Sequence, residues 1–242
     1  MAGETFRFRK FQVKHNSSSM RVGTDAVLLG AWAGDGGENV HLYRSVLDIG
    51  CGCGVIALMA AQRFPNAKVH GIDIDASSVM EATENARQSI FSDRVEFSNV
   101  DVRKLAVEPS HERYGLILCN PPYYTEDTLP PDKRRSMARN TLHLSFEDLI
   151  KSVCLLMSED GVFALIIPMQ ARDFFISEAL VNGLHIRREC RVKTVSRKTP
   201  KRVLLEFGFQ VYDHVKYEDL ILQDADGERS ADYSLLCKDF YL

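Results

Sequence analysis

The chain has 242 residues, 45% hydrophobic and 26% charged, with a formal net charge of −3. That size and apolar content suffice for one full α/β core, and no stretch has the composition of an interdomain linker, so a single domain spanning 1–242 is expected. No apolar run approaches the roughly 18 residues of a membrane span, Met1–Arg7 lacks the apolar region of a signal peptide, and a cytoplasmic location follows as the expectation.

Near the amino terminus, Arg7, Arg9, Lys10 and Lys14 interleave with Phe6, Phe8 and Phe11, a strip able to clamp RNA. Phe6 and Phe8 also alternate with arginines as one side of a strand would, which favours core packing for the rings. Next, Ser45–Ile49 reads as a buried strand running into Gly50-Cys51-Gly52-Cys53-Gly54 and an apolar helix from about Val55. Strand, glycine loop and helix form a nucleotide-binding entrance, because glycine lets the backbone approach a ligand while the helix start offers unpaired N–H groups. The glycines fall at every second position and Val55 replaces the third glycine of a dinucleotide fingerprint, which argues against NAD.

A second strand, Lys68–Ile72, ends at Asp73, at about the twenty-residue distance expected of a carboxylate that accepts ribose hydroxyls. Asp75 reads as a helix N-cap, since Val79, Ala82, Ala86 and Ile90 follow at helical spacing. A third strand, Arg94–Phe97, leads to Asn99-Val100-Asp101-Val102, with Asp101 placed to accept from an adenine amino group. A fourth, Leu116–Cys119, ends at Asn120-Pro121-Pro122-Tyr123. The prolines stiffen this turn and Asn120 is pushed toward extended backbone, so an amide oxygen, a Pro carbonyl and an aromatic face can together hold a planar –NH₂ group. An ordinary strand-to-loop turn is the alternative for this tetrapeptide alone.

Farther on, Lys133, Arg134, Arg135 and Arg139 form a basic run, and His143 is a candidate for touching substrate. Met157, Met169 and Phe174 read as core beside the buried strand 161–168. Strand-like stretches at His185–Lys193 and Val203–Val211 predict an antiparallel hairpin closing a mostly parallel sheet. From Arg187 to Arg202 the chain carries Arg187, Arg188, Arg191, Lys193, Arg197, Lys198, Lys201 and Arg202 against a lone Glu189, and the connection 196–201 can follow a phosphate backbone. The six cysteines lack metal-type CxxC pairs, so neither a disulfide nor a metal site is expected.

The ordered series of strand–GxGxG–helix, strand–Asp, strand–Asp and strand–Asn-Pro-Pro-Tyr resembles Rossmann-like S-adenosylmethionine-dependent methyltransferases acting on exocyclic or amide nitrogens. Phe11-Gln12-Val13, the segment Met20–Trp32 with Val22-Gly23-Thr24-Asp25, then Ala60–Arg63, Arg202–Phe207 and Phe240-Tyr241-Leu242 narrow the resemblance to the bacterial tRNA1(Val) adenine-N6 methyltransferases, over nearly the whole chain. Cys51 and Cys53 stand where relatives commonly carry Ala, Ser or Thr.

The resemblance implies a seven-stranded, mostly parallel sheet with an antiparallel carboxy-terminal hairpin and helices on both faces, residues 1–40 being an extension packed on the cofactor and substrate side. It implies S-adenosylmethionine as cofactor and no metal. Thr24, Asp48, Gly50, Gly52, Gly54, Asp73, Ile74, Asp101, Val102 and Asn120 are expected at the cofactor, and Asn120, Pro121, Pro122 and Tyr123 at the reacting amine. Arg7, Lys10, Arg197, Lys198, Lys201 and Arg202 are expected on tRNA. The implied target is the adenosine just 3′ of a valine tRNA anticodon. An rRNA guanine-N2 methyltransferase and a protein glutamine-N5 methyltransferase share the glycine loop and the Asn-Pro-Pro-Tyr turn. A non-catalytic RNA-binding module would not need Asp73 and Asp101 in register with a glycine loop.

Overall fold

The computed structural model describes residues 5–15, 22–34, 43–108, 113–121 and 144–242. Met20, Arg21, Pro122, Tyr123, Lys133, Arg134, Arg135, Arg139 and His143 lie outside the described residues.

Strands β1 (Thr5–Arg7) and β2 (Gln12–Lys14) make a small antiparallel hairpin, followed by helix α1 (Thr24–Trp32). Alternation then begins: β3 (Ser45–Ile49), α2 (Val55–Arg63), β4 (Lys68–Asp73), α3 (Ala76–Arg87), β5 (Val95–Asn99), α4 (Val102–Leu105) and β6 (Tyr114–Cys119). The remainder is α5 (Phe146–Leu156), β7 (Met157–Pro168), α6 (Arg172–Val181), β8 (His185–Lys193), β9 (Arg202–Gly208), β10 (Lys216–Ile221) and α7 (Ala231–Leu236).

The main sheet has the order β10-β8-β9-β7-β6-β3-β4-β5, with β9 antiparallel to both of its neighbours and the other pairings parallel. Period-two alternation sorts its side chains to two covered faces. Val46, Leu116, Leu118, Ala164, Ile166 and Leu204 pack toward α1 and α2, whereas Leu47, Ile49, Ile117, Phe163, Leu165 and Leu205 pack toward α5 and α6.

Two expectations need correction. The sheet has eight strands rather than seven, because β10 adds in parallel beyond the hairpin; Lys216, Glu218 and Asp219 within its six residues conceal an apolar strand pattern. Phe174 is 59% exposed, since α6 turns the adjacent Phe175 into the sheet and one helical step carries Phe174 outward. Met157 is fully buried.

The rings of the amino-terminal strip are packed inward. Phe8 and Phe11 are buried and stacked at 4.5 Å, and Phe8 lies parallel to Tyr241. Asn85 of α3, almost fully buried, fastens this hairpin to the rest. Its side-chain oxygen accepts from Lys14 N at 2.9 Å, while its amide donates to the carbonyls of Lys14 and Cys53, both at 2.9 Å.

Candidate active-site crevice

Sheet register brings the predicted site residues to one edge. Ile49 of β3 is level with Ile72 of β4 and Cys119 of β6, and Asp73 is level with Asn99 of β5. Gly50, Asp73, Asp101 and Asn120 therefore lie at or just past the carboxyl ends of four adjacent parallel strands. From β3 the chain proceeds to β4 and β5 on one side and later to β6 and β7 on the other, so a crevice opens between β3 and β6, the usual ligand position in an open α/β sheet.

The glycine loop takes its shape from three left-handed residues, with φ of 72° at Gly50, 53° at Gly52 and 82° at Gly54. At Gly54 crowding adds a second constraint, because a Cβ would sit 2.7 Å from the Phe97 ring. Gly50 and Gly52 face open space, where a ligand can meet the backbone. The Gly50 and Cys51 amides donate to the Ile72 carbonyl at 2.9 and 3.0 Å, folding the loop back over β4.

Three aspartates play different parts. Asp73 Oδ2 accepts from Gly52 N at 3.0 Å and Oδ1 from Asp75 N at 2.9 Å, so this carboxylate braces the loop as well as facing the crevice edge. Each oxygen keeps lone-pair capacity for a hydroxyl. Asp48 is fully buried and its Oδ2 accepts from Ala57 N at 3.0 Å, capping the first turn of α2 from the strand beneath. Burial pushes its carboxyl up to about 7, and Oδ1 has no hydrogen-bond partner among the described residues. Asp101 caps α4 through Arg103 N and is gripped by the Arg103 guanidinium, which holds it below the usual carboxylate range. Sequence reasoning did not anticipate this capture, although Arg103 stands only two positions away.

Ile74, beside Asp73, is half exposed, and Val102 is buried at the start of α4. Asn120 and Pro121 are buried where β6 leaves the sheet. The Cys51 and Cys53 thiols are buried beneath the loop, and desolvation pushes Cys53 up to about 11. Asp75 is the N-cap of α3, accepting from the amides of Ser77 and Ser78; the hydroxyls of those serines hold its carboxyl down to about 2. A concave loop of amides, open space above Gly50 and Gly52, and a carboxylate with remaining acceptor capacity fit a ligand that bears hydroxyls and a polar chain.

The cationic run divides in two. Arg188 bonds Glu218 at 2.9 Å and lies over the Trp32 ring at 4.2 Å; Arg191 bonds the fully buried Glu189, and Lys193 bonds Asp219. Arg202, expected on RNA, donates instead to Asp25 at 2.8 Å. Arg197, Lys198 and Lys201 project into solvent from the connection, as Arg7 and Lys10 do from the amino-terminal hairpin. Thr24 is exposed as the first residue of α1.

The family model described as a methyltransferase domain matches residues 43–218, so the sheet, glycine loop and crevice are those of a methyltransferase domain. Solved structures agree on the fold. A T. thermophilus 16S rRNA N2 G1207 methyltransferase, in complex with AdoMet and guanosine, superposes with a TM-score of 0.59 at 18% identity, covering 86% of this chain and 50% of that one. A glycopeptide N-methyltransferase gives 0.56 at 13% identity, covering 81% and 98%. The chain belongs to the tRNA1(Val) (adenine(37)-N6)-methyltransferase family. It is 39% identical to the Phocaeicola vulgatus member over 100% of this chain and 99% of that one, and 36% identical to the Vibrio campbellii member over 98% and 95%.

Proposed function

We propose that this chain transfers a methyl group from S-adenosylmethionine to the N6 amine of adenosine 37 in tRNA1(Val). The observation that carries this reading is the end-to-end likeness to relatives bearing that activity in their names, at 36–39% identity. The crevice supports it by setting Asn120 and the glycine loop at the ends of adjacent strands.

In this reading the loop 50–54 and Asp73 hold the cofactor, Asp73 accepting from its ribose hydroxyls, while exposed Ile74 lies against its base. When bound, S-adenosylmethionine supplies a methyl group already activated by its positive sulfur. The acceptor is the difficult partner, because the amine lone pair is conjugated with the adenine ring. Asn120, through its side-chain oxygen, and Pro121, through its carbonyl, accept the two N–H protons, favour a pyramidal nitrogen and stabilise the positive charge that develops there. The aminium formed is acidic enough to lose a proton to water, so no strong base is needed. Tyr123 stacks on the base once it has been swung out of the anticodon loop. Arg197, Lys198 and Lys201, with Arg7 and Lys10, meet the phosphate backbone.

The test is incubation with unmodified tRNA and labelled cofactor, followed by nucleoside mass spectrometry. N6-methyladenosine at one anticodon-loop position is the expected product. N2-methylguanosine would redirect the assignment to an RNA guanine methyltransferase, and label in protein glutamine with unlabelled RNA to a protein methyltransferase.

A further inference from the structure

Segments 22–32 and 202–207, remote in sequence, meet as one device. Arg202 Nε donates to Asp25 Oδ2 at 2.8 Å, and Glu206 Oε1 accepts from Gly34 N at 2.7 Å. Asp25 lies in the first turn of α1 and Gly34 just beyond its end, so β9 grips the helix lengthwise. The spans are comparable: four strand steps at about 3.3 Å cover ~13 Å, and the seven helical steps from Asp25 to Trp32 at about 1.5 Å cover ~10 Å before Ala33 and Gly34 leave the helix.

The two grips differ. At the carboxyl end, Trp32 Nε1 also donates to Glu218 at 3.0 Å, and Arg63 donates to the Gly30 and Ala33 carbonyls. At the amino end the Asp25–Arg202 pair is partly exposed, with side chains 24% and 34% accessible, and the adjoining Val22 amide donates to His15 Nδ1 at 3.0 Å. Arg202 is level with Pro168 at the end of β7, and Leu165 of β7 is level with Cys119. The pair therefore stands on the same sheet edge as Asn120, two strands away.

We propose that Asp25 and Arg202 are positioning residues for methyl transfer, their ion pair holding Val22-Gly23-Thr24 at the rim of the crevice where the target base settles on Asn120. This rests on the function proposed above. An ion pair this accessible adds little to global stability, whereas a small displacement of a positioning element can cost up to about a hundredfold in rate.

The test uses the full chain, unmodified tRNA and S-adenosylmethionine. Asp25→Asn and Arg202→Gln should each lower kcat about tenfold or more. The KM for tRNA and the melting temperature should stay near native. Asp25→Glu, which keeps the charge, should stay within a few-fold of native, and exchanging the pair (Asp25→Arg with Arg202→Asp) should restore much of the lost kcat. Normal turnover in both single variants would overturn the proposal. So would a loss confined to Arg202→Gln that appears as weaker, less salt-sensitive tRNA binding, which would place Arg202 on a phosphate. Absence of N6-methyladenosine from the native protein would instead refute the functional reading itself.

Discussion

Asp73 and Gly52 are joined by a hydrogen bond of 3.0 Å from the loop amide to the carboxylate, so the residue expected to receive the cofactor ribose also sets the curvature of the loop beside it. Asp73→Ala removes both functions at once. Affinity for S-adenosylhomocysteine should fall by roughly 1.5 to 3 kcal/mol, the scale of hydrogen bonds to a charged group. Titration calorimetry checks this, and an unchanged affinity would remove Asp73 from the cofactor site.

Asn120 is placed on the acceptor amine. Asn120→Ala should leave cofactor affinity within a few-fold of native yet lower turnover by about 10² or more, the scale of removing one transition-state hydrogen-bond partner. Single-turnover methylation of tRNA measures it, and normal turnover would make the turn structural.

Replacing Arg197, Lys198 and Lys201 with neutral residues should weaken tRNA binding and reduce the slope of log affinity against log salt by about 0.7 to 0.9 for each phosphate no longer neutralised. Cofactor binding should be untouched. An unaltered slope would identify this loop as a solvated face and leave Arg7 and Lys10 as the cations that meet RNA.

Asp48 gives a pH prediction. Its carboxyl titrates near 7 in the folded protein against 3.8 for an unperturbed group, because burial opposes ionisation. Between those values the folded state holds a proton that the unfolded chain has released, so raising pH lowers stability across that window. The contribution is complete below 3.8 and gone above about 7. The slope is at most about 1.4 kcal/mol per pH unit. Asp48→Asn keeps an oxygen for the Ala57 amide and should flatten the denaturant midpoint between pH 5 and 7; parallel curves for native and variant would contradict the assignment.

The crevice was legible in sequence where local chemistry forces geometry. Apolar runs specified β3 and β6, glycine alternation specified a loop of left-handed residues, and Asp75 announced α3 through its capping pattern. What escaped depends on partners brought together only by folding. Nothing in the 187–202 run distinguishes Arg188, which is sandwiched between Trp32 and Glu218, from Lys198, which meets solvent. Asn85 resembles any polar residue of an amphipathic helix until β2 and Cys53 are seen to share its amide.

The lengthwise grip of β9 on α1 also has a temporal side. Arg202 follows Asp25 by 177 residues. At synthesis rates of about 5–20 residues per second, α1 waits on the order of ten to thirty seconds for the strand that grips it at both ends. A nascent chain can therefore pair β3, β4 and β5 while its amino-terminal helix, resting on α2, still lacks its grip on β9. Carboxy-terminal truncations that remove β9 should leave α1 held by α2, through Arg63 and the Gly30–Met59 contact, with its amino end loose.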